Sequence, residues 1–201
     1  MLKKIKNNKK TNQLRIIGGQ WRGRKLSFAD GDGLRPTMDR VRETLFNWLQ
    51  GDIAGANCLD MFTGSGALGF EALSRYADKV VMIDKNPHAI RTIKSHLKLL
   101  NTDKAQVLQV DAQSYLNSFN SHQSDQKFDI VFLDPPFNQQ LVPLFCQLLE
   151  QANCLSAQAL IYIEQEKNTP LPNLPEYWSI VKEKKAGQLA YYLVCINKKI
   201  L

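Results

Sequence analysis

The apolar positions of the chain fall into alternating strand-length and helix-length runs, and that alternation predicts a sheet with helices on both faces. Cys58-Leu59-Asp60-Met61-Phe62, Lys79 to Ile83, Gln106 to Val110 and Phe128 to Leu133 are short and rich in β-branched or aromatic residues. Their nearly continuous apolar character fits parallel strands buried on both faces. Between them, the helix opened by Thr63–Gly69 and ending near Tyr76, and one capped by Asn86 and opened by Pro87, carry helical periodicity. In the second, Ile90, Ile93, Leu97 and Leu100 point inward. Asn117 to Lys127 is polar and reads as a surface loop, Leu141 to Leu149 as a helix, Ala159 to Ile163 as a strand ending at Glu164, and Thr169 to Pro175 as a proline-rich connector. Ser179–Lys184 and Leu189–Ile196 flank Ala186-Gly187-Gln188 and predict a closing hairpin.

Ahead of this core, Leu14 to Ile17 and Arg24 to Phe28 are strand-like pieces around Gly18-Gly19-Gln20-Trp21-Arg22-Gly23, again a hairpin signal. Trp21 at its tip has two readings, an exposed ring for a base face or a residue packed on the main domain. A helix follows, with Thr37 as cap, Asp39 at its positive end, and Met38, Val41, Leu45, Trp48 and Leu49 on one face. Arg35, Arg40 and Arg42 are candidates for substrate or cofactor contact, and Arg40 also fits an ordinary solvated charge paired with Glu43. The division expected is 1–13 as a basic, disordered tail, 14–52 as an amino-terminal hairpin and helix, and 53–201 as the main domain.

Charge sharpens that division. The chain of 201 residues has net charge +7, yet Lys3, Lys4, Lys6, Lys9, Lys10, Arg15, Arg22, Arg24 and Lys25 lie within the first 25 residues with no acid among them. Without those nine the remainder sums to −2. A basic arm is what phosphates reward. No run reaches membrane-span length and no signal-peptide core follows the N-terminus, so a cytoplasmic protein is expected. Cys58, Cys146, Cys154 and Cys195 are scattered, and His88, His96 and His122 lack the spacing of a helical metal site, so reduced thiols and no metal are expected.

Thr63-Gly64-Ser65-Gly66-Ala67-Leu68-Gly69 contains Gly-x-Gly-x-x-Gly, and the strand ending at Asp84 places an acid to accept from ribose hydroxyls. Those two features fit a nicotinamide enzyme and a methyltransferase alike. The last strand before the helix at Leu141 ends in Asp134-Pro135-Pro136-Phe137, where an acid, an accepting carbonyl and an aromatic ring lie side by side. That set suits an exocyclic base amine, whose delocalised lone pair must be turned toward an electrophile by acceptors that hold its N–H bonds. A rigid strand-to-loop turn without chemistry is the plainer reading of Pro-Pro alone.

The tetrapeptide resembles the (Asp/Asn/Ser)-Pro-Pro-(Phe/Tyr/Trp) motif of S-adenosylmethionine-dependent amino methyltransferases, and Asp60-x-x-x-Gly64-x-Gly66 resembles their first motif. Adding Arg15-Ile16-Ile17-Gly18-Gly19-Gln20-Trp21-Arg22-Gly23-Arg24-Lys25 and Leu34-Arg35-Pro36-Thr37-Met38-Asp39-Arg40-Val41-Arg42-Glu43-Thr44-Leu45-Phe46-Asn47, the chain is similar to the RsmD family from about Leu14 to the last hairpin. The resemblance implies a Rossmann-like α/β class I methyltransferase fold, a mostly parallel seven-stranded sheet with a C-terminal antiparallel hairpin. It implies methylation of N2 of a guanine in 16S ribosomal RNA, with S-adenosylmethionine as donor and a partly assembled small subunit as substrate. Asp60, Phe62, Gly64, Gly66, Gly69, Asp84, Lys85, Asp111 and Ala112 would surround the donor, and Asp134, Pro135 and Phe137 the flipped base. Arg15, Trp21, Arg22, Arg24, Lys25, Arg35 and Arg40 would contact RNA. A monomer without metal or membrane is the expectation. The alternatives are a DNA adenine-N6 or cytosine-N4 methyltransferase, a protein-glutamine methyltransferase, and a non-catalytic RNA-binding assembly factor.

Overall fold

The structure, a computed structural model, describes residues 11–29, 39–119, 127–137, 140–170 and 173–197. It opens with an antiparallel pair, β1 (Thr11–Arg15) and β2 (Lys25–Ala29), joined through a short 3-10 turn at Gly19–Trp21. Helix α1 (Asp39–Trp48) leads to the main sheet. Then follow β3 (Asn57–Asp60), α2 (Ala67–Ser74), β4 (Lys79–Asp84), α3 (Pro87–Leu100), β5 (Ala105–Gln109), α4 (Ala112–Phe119) and β6 (Phe128–Leu133). Helix α5 (Leu141–Gln151), β7 (Leu155–Glu166), β8 (Trp178–Ala186) and β9 (Leu189–Ile196) complete the chain. The sheet order is β5-β4-β3-β6-β7-β9-β8. The first five strands in that order run parallel, while β9 is antiparallel to both β7 and β8.

Two apolar clusters lie on the two faces of this sheet. On one, α1, α2 and α3 pack with the β1–β2 pair against residues such as Cys58, Met82 and Phe132; on the other, α4 and α5 cover Leu59, Val81, Val131 and Ile161. Alternation along each strand divides the residues between faces, as its two-residue period requires. Helix α2 is buried at every position, its largely apolar sequence interrupted by Glu71 and Ser74. Helix α3 begins as its sequence predicts, with the Asn86 side chain accepting from the His88 amide and Pro87 in the first turn. It ends at Asn101 in the left-handed region.

Three boundaries differ from the sequence reading. The helical residues of α4 reach Phe119, inside the stretch read as loop from Asn117, because Ala112, Tyr115, Leu116 and Phe119 form an apolar face against the second cluster. Strand β7 starts at Leu155 and continues past Glu164, since its tail is paired with β9 through Glu166–Leu189. The β1–β2 unit shares the first apolar cluster, into which Leu14, Ile16, Leu26 and Phe28 are buried. The expected disordered tail over 1–13 ends earlier, since residues 11–13 pair with β2 as the start of β1; its residues 1–10, the Thr37 cap, Met38 and Arg35 lie outside the described residues.

A candidate active site at the carboxyl edge of the sheet

Parallel strands share a direction, so their terminal acids meet on one edge. Asp60 closes β3, Asp84 closes β4, Asp111 follows β5, and Asp134 follows β6. The strand order reverses between β3 and β6, the point at which open α/β sheets bind ligands.

The glycine loop is held from beneath by these acids. Asp60 is only 2% exposed, and its Oδ2 accepts from Thr63 Oγ1 at 2.9 Å and from the Gly69 amide at 3.0 Å. Burial pushes its carboxyl up to about 7, with a smaller push from the Asp84 charge, against the pull of those two donors. Asp84 Oδ2 accepts from the Gly64 amide and Oδ1 from the Asn86 amide. Gly64 and Gly66 have φ of 50° and 83°, and a Cβ at Gly66 would stand 2.5 Å from the Phe70 ring. Gly69 does different work. A Cβ there would meet the Met82 methyl at 2.6 Å, so this glycine lets α2 close on β4. Asp111 Oδ1 accepts from the Gln113 and Ser114 amides and caps α4. Lys85 is exposed, Ala112 is buried, and Phe62 is half-buried with its ring edge-on to Phe145.

This chemistry fits a cationic nucleoside better than a dinucleotide. A pyrophosphate needs amides at a helix start, and here the Gly69 amide is already satisfied by the protein's own carboxylate. A row of acids suits ribose hydroxyls, an adenine amine and a sulfonium.

Beyond β6, Asp134 is half-buried, Pro135 buried, and Pro136 and Phe137 exposed, the ring at 36%. Phe137 and the prolines border a pocket of about 350 Å³ that reaches Leu141, Val142 and Glu164. Glu164 is 3% exposed and accepts from the Tyr162 hydroxyl at 2.6 Å. Burial pushes its carboxyl up to about 8, the Asp134 charge adds to the rise, and the Tyr162 hydrogen bond opposes it. Burial first, and then the charges of Glu164 and Asp134, hold the Tyr162 hydroxyl well above its ordinary range. The sequence reading placed Glu164 at the end of a strand and assigned it no role; its place one residue past the in-register partner of Leu133 comes only from the pairing of β6 with β7.

At the amino-terminal unit two readings change. Trp21 is 9% exposed and packs in the first apolar cluster, with its amide donating to Ser74 Oγ at 3.0 Å. The turn lies so flat on the end of α2 that a Cβ at Gly19 would fall 1.8 Å from the Ser74 carbonyl oxygen, which carries the indole inward and away from any base. Arg42, a candidate ligand contact, is fully buried. Its Nη2 donates to the Arg15 carbonyl and pairs with Asp39, while Nη1 stands 3.8 Å from Glu71. Arg15, Arg22, Arg24, Lys25 and Arg40 are exposed. Among the described residues no cluster of His, Cys, Asp and Glu is arranged to hold a metal, and no helix is long and apolar enough to cross a membrane.

A family model described as Conserved hypothetical protein 95 matches residues 14–195. Ribosomal RNA small subunit methyltransferase D of Escherichia coli (strain K12) is 48% identical over 187 residues, 93% of this chain and 92% of the relative. The protein of the same name from Haemophilus influenzae is 46% identical over 192 residues, 96% of this chain and 98% of the relative. The solved structure of yhhF from Escherichia coli superposes with a TM-score of 0.85 at 45% identity, covering 94% of this chain and all of that one.

Proposed function

The chain belongs to the Conserved hypothetical protein 95 family, the RsmD family of ribosomal RNA small-subunit methyltransferases, and on that premise we propose how its residues divide the work. The protein is a methyltransferase that uses S-adenosylmethionine and methylates N2 of a guanine in 16S ribosomal RNA. One observation carries the reading. Asp134-Pro135-Pro136-Phe137 stands beside the sheet's switch point, a half-buried acid leading into two prolines and an exposed ring that border one pocket.

The donor, when bound, supplies a methyl group on a sulfonium centre. Asp60, from below, and Asp84 hold the glycine loop in shape; Asp84, Asp111 and the loop backbone, with Phe62, Lys85 and Ala112 around them, form the donor's seat. Asp134 and the Pro135 carbonyl accept the two N–H bonds of the guanine amine, which turns the nitrogen lone pair toward the methyl group, while Phe137 stacks on the base. The methyl group that the donor would supply would pass to this nitrogen, which gains positive charge as it is methylated. Asp134 stabilises that charge and takes the proton. The rate gain comes from orientation and electrostatics, without a covalent enzyme intermediate. Arg15, Arg22, Arg24, Lys25, Arg35 and Arg40 contact phosphates, and the substrate is a small-subunit assembly intermediate met in the cytoplasm by a monomer that uses no metal.

The test is methyl transfer from labelled S-adenosylmethionine to under-methylated small-subunit particles, beside naked ribosomal RNA and duplex DNA. Recovery of N2-methylguanosine from the particles supports the whole reading. Label in DNA, or in a different nucleoside, overturns the substrate.

A further inference from the structure

The pocket beside the motif contains a second acid that methyl transfer itself leaves without a task. Leu133 and Ile163 are partners across the parallel pair β6–β7, so Asp134 and Glu164 follow them side by side. The two-residue period puts both on the sheet face that carries Phe132 and Tyr162. Pairing with β6 stops there, but Glu164, Gln165 and Glu166 remain fixed by β9 through Tyr191, Ala190 and Leu189. The acid is therefore held on a rigid strand rather than on a loop. It is buried, and among the described residues its hydrogen-bond donor is the Tyr162 hydroxyl, which occupies Oε2. Burying a carboxyl beside another acid is costly, and core packing has no use for it. Its Oε1 is left for the pocket that Glu164 lines with Phe137.

On its Watson–Crick edge guanine has an N1–H next to the N2 amine. Adenine and cytosine have a bare ring nitrogen, an acceptor, next to theirs. The geometry points to Glu164 as a specificity residue: with the guanine amine at Asp134, Glu164 Oε1 accepts the N1–H while Tyr162 fixes the carboxyl by Oε2. This assignment rests on the methyl-transfer reading given above. An adenine or cytosine amine placed at Asp134 would set its ring-nitrogen lone pair against the carboxylate, a repulsion that rejects the base. A four-residue motif able to serve several amines is thus narrowed to guanine by a neighbouring strand. Burial beside Asp134 favours the protonated acid in the empty site, so seating guanine is coupled to release of that proton, and the N1–H then takes its place on the carboxylate.

The experiment uses 16S ribosomal RNA carrying either guanine or 2,6-diaminopurine at the target position, assembled into small-subunit particles. Diaminopurine keeps the 2-amine but has an acceptor at N1. The wild-type protein is expected to favour guanine by about 100-fold in kcat/KM. In Glu164→Gln the Tyr162 hydroxyl holds the amide oxygen, so an NH2 faces the base. The preference should then shrink to within about threefold or reverse, with donor binding unchanged. Tyr162→Phe, which leaves the acid but frees it, should lower the ratio about three- to tenfold. A wild-type enzyme indifferent to the two bases, or a Glu164→Gln protein slowed equally on both with the ratio intact, overturns the assignment. If Glu164→Gln does not fold, an unchanged ratio in Tyr162→Phe overturns it instead. Wild-type failure to methylate either base overturns the methyl-transfer reading itself, and this assignment with it.

Discussion

Glu71 Oε1 accepts the backbone amide of Gly18 at 2.8 Å, and its second oxygen accepts the neighbouring Ile17 amide at the same distance. One carboxylate of α2, wholly buried, thereby fastens the loop between β1 and β2 to the main sheet. Arg75 and Arg42 balance its charge. Glu71→Ala should lower unfolding stability by roughly 3–5 kcal/mol, because it takes the acceptor from the Ile17 and Gly18 amides and leaves the buried Arg42 guanidinium with Asp39 as its remaining acid. Denaturant unfolding checks this, and hydrogen exchange at Ile17 and Gly18 should accelerate in the same variant. Protection as strong as in the wild type would show that the clamp does not hold the loop.

The same clamp changes how the basic arm is tested. Removing residues 1–25 is expected to weaken RNA binding, but it also removes Leu14 and Ile16 from the core. Arg22, Arg24 and Lys25 are exposed and offer a cleaner test. Changing all three to Ala should reduce the slope of log affinity against log salt by about 2, at roughly 0.7 for each phosphate no longer neutralised. An unaltered slope would remove these residues from the RNA surface.

Asp134→Ala should lower turnover at least ~100-fold while donor affinity stays within about twofold. Single-turnover kinetics separates the two. Near-normal turnover would show that the acid neither orients the amine nor takes its proton.

Gly66→Ala combines a φ of 83° with a Cβ 2.5 Å from Phe70. The loop must move, so donor affinity should fall by about tenfold or more. Titration calorimetry reads it directly, and unchanged affinity would mean the loop does not shape the donor's seat.

Two buried acids give the stability a pH signature. Asp60 is raised from 3.8 to about 7 and Glu164 from 4.5 to about 8. A raised carboxyl holds its proton in the fold after the unfolded chain has released its own. The resulting stabilisation is whole below the unfolded values and fades as pH rises toward 8. Asp134 and Tyr162 face Glu164, and Asp84 and Thr63 face Asp60, with the donations of Tyr162 and Thr63 softening both shifts. The ligand-free protein should melt roughly 5–10 °C lower at pH 8 than at pH 5. Glu164→Gln should flatten that dependence; an equally steep curve in the variant would assign the effect to other groups.

The sequence alone determined the parts of this protein that depend on local pattern. Runs of buried strand, the cap at Asn86 with Pro87, and the glycines at 64 and 66 specify their own backbone, and the acids at strand ends fall on one edge once the strands are parallel. Tertiary structure decided which polar groups face a ligand and which hold the fold. Arg42 stood as a candidate ligand contact and Glu71 drew no role, because their partners, Ile17, Gly18 and Arg15, are on another element and no periodicity connects them. Trp21 sits in a basic, glycine-rich turn, yet that turn lies on Ser74 and the ring is buried. Glu164 becomes a neighbour of Asp134 only through the register of β6 with β7, a relation between distant stretches of chain that burial and hydrogen bonding fix after the chain has folded.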